Sequence, residues 1–143
     1  FEGLICFVTP TEETEVEALE KTAEFWQALG SRVMRTSPQE HDVIVAQVSH
    51  LPHILASSLA SYLSQARPDA AKYCGNGLRD TTRIASGCPG LWSEIVGQNR
   101  SEILRSIAAF QSHLESLRGA IASGDASLLH TFLQNGKSFR DSL

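Results

Sequence analysis

The chain has 143 residues, with 12 Lys or Arg and 16 Asp or Glu, so its formal net charge at pH 7 is −4. This length suffices for one domain with a hydrophobic core and is short for two complete domains. The mildly acidic balance lacks a basic cluster, which argues against nucleic-acid binding because phosphate contacts require clustered Lys and Arg. No continuous apolar run reaches the roughly 18 residues that a membrane span needs, so we expect no membrane segment.

The cysteine content indicates the compartment. Cys6, Cys74 and Cys88 are odd in number and show no Cys-x-x-Cys spacing. This pattern disfavours a disulfide framework and predicts a reduced, cytoplasmic protein. The sequence has no signal peptide and no initiator Met, and it begins within an apolar run. We therefore expect it to be a fragment of a longer protein.

The first 36 residues predict a strand, a helix and a second strand. Residues 3–8 are almost continuously apolar, which is typical of a strand buried on both faces of a parallel sheet. The predicted helix begins near Pro10 with four glutamates in its first turns, where they complement the helix dipole, and it ends at Gly30. Residues 32–36 predict the second strand. Such a unit is too small to be a domain, so residues 1–36 are interpreted as the tail of an α/β domain.

A long helix is predicted to follow, from Ser37 to about residue 66. Ser37 is a suitable N-cap, Pro38 suits the first helical position, and Glu40 completes a capping box. Apolar residues at intervals of three and four mark one face of this helix. The helix is therefore expected to pack against other elements along that face.

Three polar residues share another face of the same helix. Ser49, His53 and Ser57 follow one another at intervals of four. Pro52 lies between them and removes one backbone N–H from the helix, so we expect a kink beside the polar residues. A helix that tolerates proline beside polar side chains is predicted to place those side chains for a function.

The remainder of the chain is also predicted to be helical. A glycine-punctuated loop over residues 73–80 leads into a short helix over residues 81–85, with Asp80 as its cap. The glycines lack the spacing of a phosphate-binding loop. Asn99 can cap the next long helix, Gly124 ends that helix, and Asp125 can cap a final helix that extends to about residue 133.

The long helix that follows Asn99 has an apolar repeat. Its spacing of four and three is that of an a/d seam and continues for nearly three heptads. Such a seam fits a hydrophobic core, and it is also long enough to pair with a partner helix. The residues of this seam are Ile103, Ile107, Phe110, Leu114, Leu117 and Ile121.

The sequence argues against two kinds of site, because their characteristic motifs are absent. His41, His50 and His53 lie on one helix, yet no His-Glu-x-x-His pattern supplies a zinc site. A Gly-x-Ser-x-Gly elbow is absent, which argues against a serine hydrolase. Taken alone, His50 and His53 are interpreted as core histidines whose ring nitrogens bond to backbone carbonyls.

Arg83 provides a cationic group close to these polar residues. It follows Asp80 by one turn in a glycine-rich segment and is suited to bidentate recognition of a carboxylate. The alternative is a surface pair between Asp80 and Arg83, worth about 0.3–0.5 kcal/mol. Trp92 is compatible with a core position. Serine, histidine, arginine and tryptophan on neighbouring helices nevertheless predict a pocket for a small, anionic, ring-shaped ligand.

Five motifs in this order resemble the C-terminal half of prephenate/arogenate dehydrogenases, which oxidise and decarboxylate prephenate or arogenate with a nicotinamide cofactor in tyrosine biosynthesis. The combination of Ser-His-Leu-Pro-His with Asp-x-Thr-Arg-Ile-Ala is specific, although neither motif is so alone. The matching segments are His41-Asp42, Ser49-His50-Leu51-Pro52-His53, Gly77-Leu78-Arg79-Asp80-Thr81-Thr82-Arg83-Ile84-Ala85, Pro89-Gly90-Leu91-Trp92 and Asn99.

The resemblance implies a mainly α fold, with an all-helical dimerisation and substrate domain preceded by the terminal βαβ piece of a Rossmann-type α/β domain. Residues 1–36 would be the remnant of the dinucleotide-binding domain and residues 37–143 the helical domain. The dinucleotide fingerprint and the family's catalytic histidine are not in this sequence. The resemblance therefore implies no catalytic residue here, and we expect no dehydrogenase activity from this segment alone.

The resemblance also implies the partners and the site. NAD or NADP would bind mainly through the N-terminal domain, no metal would be required, and the helical domain would form a homodimer in the cytoplasm. Arg83 would bind a substrate carboxylate and Asp80 would orient it. The residues implied to bind substrate are Ser49, His53, Arg83 and Trp92, with Asp80 and Gly77 in support.

The substrate and the functional class have alternatives. His53 offers no negative charge to the amine of arogenate and can donate a hydrogen bond to a keto acid, which favours prephenate. Arogenate dehydrogenase remains the alternative enzyme. A non-catalytic helical dimerisation or ligand-sensing module is the alternative from another class, since the apolar seam fits it equally well.

Overall fold

The structure is a computed structural model that describes all residues, 1–143. Its first part contains two parallel strands, β1 (Ile5–Val8) and β2 (Arg32–Arg35), connected by helix α1 (Val16–Ala28). The remaining elements are all helical. The predicted fold class, a helical domain preceded by a βαβ piece, is confirmed.

The predicted start of α1 near Pro10 is wrong. The backbone N–H of Thr11 donates to the Thr14 hydroxyl at 2.9 Å, and the Thr14 N–H donates to the Thr11 carbonyl at 3.0 Å. These bonds close a separate turn, because a threonine side chain can satisfy nearby backbone groups outside a helix. The helix consequently begins at Val16, with only Glu17 as an acidic residue in its first turn.

The end of α1 matches the prediction. Gly30 has φ of 87°, a left-handed conformation that favours glycine. Its N–H donates to the Gln27 carbonyl at 2.9 Å, and the Ser31 N–H donates to the Trp26 carbonyl at 3.0 Å. This pair of bonds turns the chain directly into β2. The expectation of strands buried on both faces is not met within this two-stranded sheet, where Ile5 is 51% exposed.

The long predicted helix is continuous but changes its hydrogen-bonding pattern. It consists of α2 (Pro38–Val45), a π-turn (Ala46–His50) and α3 (Leu51–Ala66). The predicted cap is confirmed, because the Ser37 hydroxyl accepts a bond from the Glu40 N–H at 3.1 Å. The long helix therefore begins as expected and contains an irregularity at its middle.

The π-turn is the local response to Pro52. That residue lies in the first turn of α3, where a missing N–H costs least. A π-turn uses hydrogen bonds between residues five apart and accommodates one additional residue. The structure thus has a π-turn that ends two residues before Pro52, in the region where the sequence predicts a kink.

The continuous stretch Pro38–Ala66 also has the length and composition of a membrane-crossing helix. It has 29 residues, its most apolar window has a mean hydropathy of 1.4, and 17% of that window is buried. The expectation of no membrane segment rested on continuous apolar runs alone and missed this stretch. Its mean hydropathy is high although Ser and His lie between the apolar residues. Core helices of soluble proteins also have this length and composition, so the property is weak evidence for a membrane.

The predicted loop over residues 73–80 and the helix over residues 81–85 are wrong. Gly75, in an extended conformation (φ −88°, ψ −175°), is the N-cap of α4 (Asn76–Thr82), so Asp80 lies inside a helix. An acidic residue that follows glycines is typical of an N-cap, which is why the sequence pattern predicts a helix start at Asp80. Two 3₁₀ helices flank this region, Ala70–Lys72 before α4 and Arg83–Ser86 after it.

The C-terminal helices follow their predicted signals. The Asp125 carboxylate accepts bonds from the Ser127 and Leu128 N–H groups at 2.9 and 3.1 Å, as expected of a cap. Gly124 has φ of 67° and ends the preceding helix. The last helix is longer than predicted. These elements are α5 (Pro89–Gln98), α6 (Arg100–Ser123) and α7 (Ala126–Asp141).

The chain forms two compact units, residues Phe1–Ile103 and Leu104–Leu143. The most buried apolar residues belong to the first unit and are mostly small, which permits close approach of its helices; they are Ala23, Ala46, Ala56 and Ile103. The domain boundary after Thr36 stays a prediction.

Candidate functional site

Two hollows lie along one face of the helix that runs from α2 to α3. The first hollow has a volume of about 370 Å³ and the second about 680 Å³. On α3, His53, Ser57 and Ser61 recur every four positions and share a face, whereas the π-turn interrupts this spacing between the two hollows. His41, Val45 and Ser49 belong to the first hollow, and His53, Ser57 and Ser61 to the second.

The second hollow contains a stacked pair of rings. The His53 and Trp92 ring centroids are 3.5 Å apart, with an angle of 9° between the ring planes. His53 is only 7% exposed, and Trp92, on α5, is half-buried. The two rings therefore lie almost face to face, in van der Waals contact over most of their area. The pair gives the hollow a rigid aromatic side, and Ser57 and Ser61 add hydroxyl groups.

Gly87 lies directly against this ring pair. A Cβ atom at Gly87 would be 2.6 Å from Trp92 Nε1 and 2.8 Å from His53 Cε1. Both distances are shorter than van der Waals contact, so any side chain here would displace one of the rings. Gly87 follows the 3₁₀ helix Arg83–Ser86, and its close approach lets that segment cover the pair.

The first hollow is lined by polar groups that contact one another. His41 Nδ1 is 3.0 Å from Asp42 Oδ1. The Asn99 side-chain nitrogen donates to the Asp42 backbone carbonyl at 2.8 Å and lies 3.4 Å from His50 Nδ1. Burial lowers the pKa of His50, the positive charge of His41 lowers it further, and Asp42 opposes both effects. The arrangement therefore favours a neutral His50.

The predicted site residues are only partly brought together. His53 and Trp92 are in contact, whereas Ser49 is exposed on the π-turn and lines the first hollow. Arg83 is exposed and lines neither hollow, although its 3₁₀ helix packs against α3.

The two supporting residues are both on α4. Asp80 and Gly77 are exposed, and a Cβ at Gly77 would meet no atom within 4 Å. The ion pairs of the structure include no contact between Asp80 and Arg83. The substrate role of Arg83 and its orientation by Asp80 stay predictions.

Sequence reasoning missed Gly87 and the side-chain contacts of Asn99. Gly87 precedes a Cys-Pro pair and gives no local signal, since the rings that it contacts come from two different helices. Asn99 was assigned only a capping role, although it is 57 positions from Asp42, whose carbonyl it contacts. An asparagine between two apolar helices is a signal for such a contact, because a buried amide requires partners.

The residues present do not form a cofactor site. No group of three or more His, Cys, Asp or Glu side chains is arranged to hold a metal ion. The segment after β1 is Thr9-Pro10-Thr11, which lacks the glycine-rich turn that places a pyrophosphate at a helix N-terminus. This segment therefore does not supply the glycine-rich turn for the pyrophosphate of a dinucleotide.

Comparison with known proteins gives a consistent result. Residues 37–135 match the family described as prephenate dehydrogenase, dimerization domain. The chain is 30% identical over its whole length to prephenate dehydrogenase of Bacillus subtilis and covers 39% of that protein. It is 34% identical over 92% of its length to cyclohexadienyl dehydrogenase of Zymomonas mobilis and covers 46% of that protein.

Solved structures agree with the sequence comparisons. Prephenate dehydrogenase of Aquifex aeolicus, in complex with hydroxyphenyl propionate and NAD⁺, superposes on 99% of this chain with a TM-score of 0.92 and 33% identity. Arogenate dehydrogenase of Synechocystis superposes on 99% with a TM-score of 0.88 and 28% identity. The chain covers 50% and 53% of these two proteins, and less than half of the curated relatives.

Proposed function

Because this chain belongs to the prephenate dehydrogenase family, we propose that it forms the C-terminal, substrate-binding part of an enzyme that oxidatively decarboxylates prephenate to 4-hydroxyphenylpyruvate. The observation that carries the proposal is the His53–Trp92 ring pair at one side of the second hollow. A flat, rigid aromatic surface suits a ring-shaped substrate. The relative from Aquifex aeolicus, whose structure contains hydroxyphenyl propionate and NAD⁺, supports this class of ligand.

The proposed reaction removes a hydride from the ring carbon that bears the hydroxyl group and releases the ring carboxylate as CO₂. Formation of the aromatic ring makes this step strongly favourable. NAD or NADP accepts the hydride when it is bound, and the other half of the enzyme holds it. The residues of this chain are proposed to bind and orient the substrate, a contribution to catalysis through position.

Arg83 is the proposed partner of a substrate carboxylate. It is exposed, takes part in no ion pair of the structure, and begins a 3₁₀ helix that packs against α3. A guanidinium group without a protein partner is available for a bidentate bond to a carboxylate. Ser49 and His53 are proposed to face the substrate from the helix, and Asp80 and Gly77 are proposed to support Arg83.

Prephenate is the proposed substrate, with arogenate as the alternative. His53 supplies no negative charge for the amine of arogenate, and no acidic side chain lines the second hollow. The similarity to arogenate dehydrogenase of Synechocystis favours the alternative. His53→Asp in the full-length protein tests the assignment, because a carboxylate should shift the ratio of kcat/KM values towards arogenate. An unchanged ratio would remove this argument for prephenate.

A homodimer in the cytoplasm is the proposed assembly. The description of the matched family as a dimerization domain supports it. Large apolar side chains are exposed on the helices of this chain, as expected for surfaces that a second copy covers. Val48 is 68% exposed on the long helix, and Leu114, Ile121 and Leu133 are 51–60% exposed on α6 and α7.

Light scattering on the full-length protein tests this assembly. We expect the mass of a dimer for the wild type and a shift towards monomer when Leu114 and Ile121 are both replaced by Ser. Ser112→Asn, a polar substitution on the opposite face of the same helix, serves as the control and should leave the mass unchanged. A monomeric wild type would contradict the proposed assembly.

The activity is tested by incubating the full-length protein with prephenate or arogenate and each nicotinamide cofactor. We expect reduced cofactor and CO₂ to form in equal amounts, with the higher kcat/KM for prephenate. A helical ligand-sensing module, the alternative of another class, would bind such compounds without forming either product. The isolated 143-residue chain is expected to be inactive under the same conditions.

A further inference from the structure

Asn99 connects two parts of the chain that are distant in sequence. It lies between α5 and α6, is only 7% exposed, and contacts the region where α2 passes into the π-turn. One amide hydrogen of its side chain is donated to the Asp42 carbonyl at 2.8 Å. The same nitrogen lies 3.4 Å from His50 Nδ1. Because an amide nitrogen only donates, this contact is a hydrogen bond when His50 Nδ1 carries no proton.

These two contacts lie on either side of the π-turn. Asp42 precedes the π-turn and His50 is its last residue. A π-turn holds one residue more than the corresponding α-helical turn, and its hydrogen bonds are rare in proteins and frequent at functional sites. An irregular turn of this kind persists when the surrounding structure restrains it. The Asn99 side chain supplies such a restraint at both ends.

The π-turn decides where two of the proposed substrate-binding residues lie. Ser49 is within the turn and His53 is in the first turn of α3. Each residue of an α-helix rotates the chain by about 100°. If the π-turn became a regular α-helical turn, His53 would therefore rotate relative to α2 by about that angle. His53 stacks on Trp92 in the register that includes the π-turn, so a change of that register would move His53 away from Trp92.

We propose that Asn99 is a positioning residue that holds the π-turn and thereby sets the places of Ser49 and His53 in the substrate site. The inference rests on the proposed function in assigning the two residues to a substrate, whereas the restraint on the π-turn is independent of it. The lowered pKa of His50 agrees with a neutral ring that accepts the Asn99 hydrogen bond. Protonation of Nδ1 would abolish that bond.

The neighbouring residue provides a matched control. Gln98 also lines the first hollow and is exposed, and its side chain makes no hydrogen bond. Asn99→Asp and Gln98→Glu make the same chemical change, an amide to a carboxylate of equal size, one position apart. Only Asn99→Asp removes the donor and brings an anionic oxygen to His50.

Both variants are made in the full-length protein, with Asn99→Ser as a smaller, uncharged change. Hydrogen exchange of the backbone amides over residues 46–53 measures the restraint directly and needs no substrate. We expect exchange to be at least tenfold faster in Asn99→Asp and Asn99→Ser, and unchanged in Gln98→Glu. The ¹⁵N spectrum of the His50 ring should change from that of an accepting Nδ1 to that of a protonated ring in Asn99→Asp alone.

Kinetics then connect the restraint to the site. We expect kcat/KM for prephenate to fall at least tenfold in both Asn99 variants and to stay within twofold of wild type in Asn135→Asp, the same amide-to-carboxylate change at an exposed position of α7. Wild-type exchange rates and an unchanged His50 ring in a folded Asn99→Asp or Asn99→Ser protein would overturn the inference. Failure of the wild type to oxidise prephenate would instead refute the proposed function, and the exchange experiment would still test Asn99.

Discussion

The two compact units differ in the range of their side-chain contacts. In residues 1–103, Asn99 contacts Asp42 over 57 positions, and His53 stacks on Trp92 from another helix. In residues 104–143, side-chain hydrogen bonds are local, as in Arg118 to Glu115 three positions apart. Long-range contacts fix side chains relative to each other, whereas local ones only support a helix. The first unit therefore has the structure expected of a binding site.

The two units also differ in how their large apolar side chains are exposed. The second unit exposes large side chains such as Leu128, Leu133 and Phe139, at 54–68%. Its one contact between rings of different helices is His113 on Phe132, with centroids 4.6 Å apart. A unit with little buried apolar area of its own fits a role in assembly. We therefore predict that substitutions in the first unit change ligand binding, whereas substitutions in the second unit change mainly the formation of the dimer.

Arg83→Ala is expected to have the largest effect on activity. The substitution removes an ionic hydrogen bond to substrate worth about 1.5–3 kcal/mol, which corresponds to roughly a 10- to 100-fold rise in KM. Stability should not change, because Arg83 is exposed and without an ion pair. Steady-state kinetics and thermal melting of the full-length protein measure both quantities. A KM equal to that of wild type would refute the proposed role of Arg83.

Gly87→Ala should cost about 1–3 kcal/mol of stability, as substitutions that overpack a filled space do. The new Cβ would lie within 3 Å of both rings of the His53–Trp92 pair. Denaturant unfolding measures the free energy of unfolding of each variant. The change in Trp92 fluorescence between folded variant and folded wild type measures the displacement of the ring. Gly97→Ala, whose Cβ would meet no atom within 4 Å, is the control within α5 and should be neutral or slightly stabilising. Equal behaviour of the two variants would show that the rings tolerate a side chain.

The pH dependence of stability tests the first hollow. The pKa of His50 is lowered in the folded state, mainly by burial. Below its unfolded-state value of about 6.5, the unfolded chain binds more protons at this site, so the free energy of unfolding should decrease as the pH falls. The decrease should be smaller in His50→Gln. An identical pH dependence of unfolding in the two proteins would contradict the assigned environment.

Arg118→Ala is expected to have the smallest effect. Arg118 and Glu115 form a bidentate ion pair on one exposed helix face, and solvent screens such pairs. The melting temperature and the prephenate kinetics should both equal those of wild type within error. A clear loss of activity would show that residues 104–143 contribute to the substrate site, and would contradict the assignment of ligand binding to the first unit.

The sequence predicted features that depend on near neighbours. The Ser37 and Asp125 caps, the Gly30 and Gly124 ends and the irregularity at Pro52 are all governed by residues within a few positions. Such features follow from backbone chemistry that tertiary contacts seldom reverse. The helix starts at Val16 and Asn76 were missed because side-chain and glycine turns compete with capping signals.

The site was only partly predictable for a related reason. His53 and Trp92 were both selected, but neither their stacking nor the contact of Gly87 follows from any local pattern. Their spacing predicts that Ser49 and His53 share a helix face, yet Ser49 is exposed on the π-turn, His53 is buried on α3, and the two line different hollows. Contacts between separate helices depend on how those helices pack, and helical periodicity does not determine that packing.

The two tryptophans of the chain allow the most direct test of the central claim, that the His53–Trp92 pair forms one side of the substrate site. Trp26 packs against Phe1 and Phe25 with ring centroids 5.3 and 5.6 Å away, and it lines neither hollow. Trp92→Leu and Trp26→Leu in the full-length protein are therefore matched substitutions. The measurement is calorimetric titration of each with hydroxyphenyl propionate at saturating NAD⁺. We predict binding about tenfold or more weaker for Trp92→Leu, a loss of about 1.4 kcal/mol, and a Kd near that of wild type for Trp26→Leu. Equal affinities of the two variants would contradict the claim.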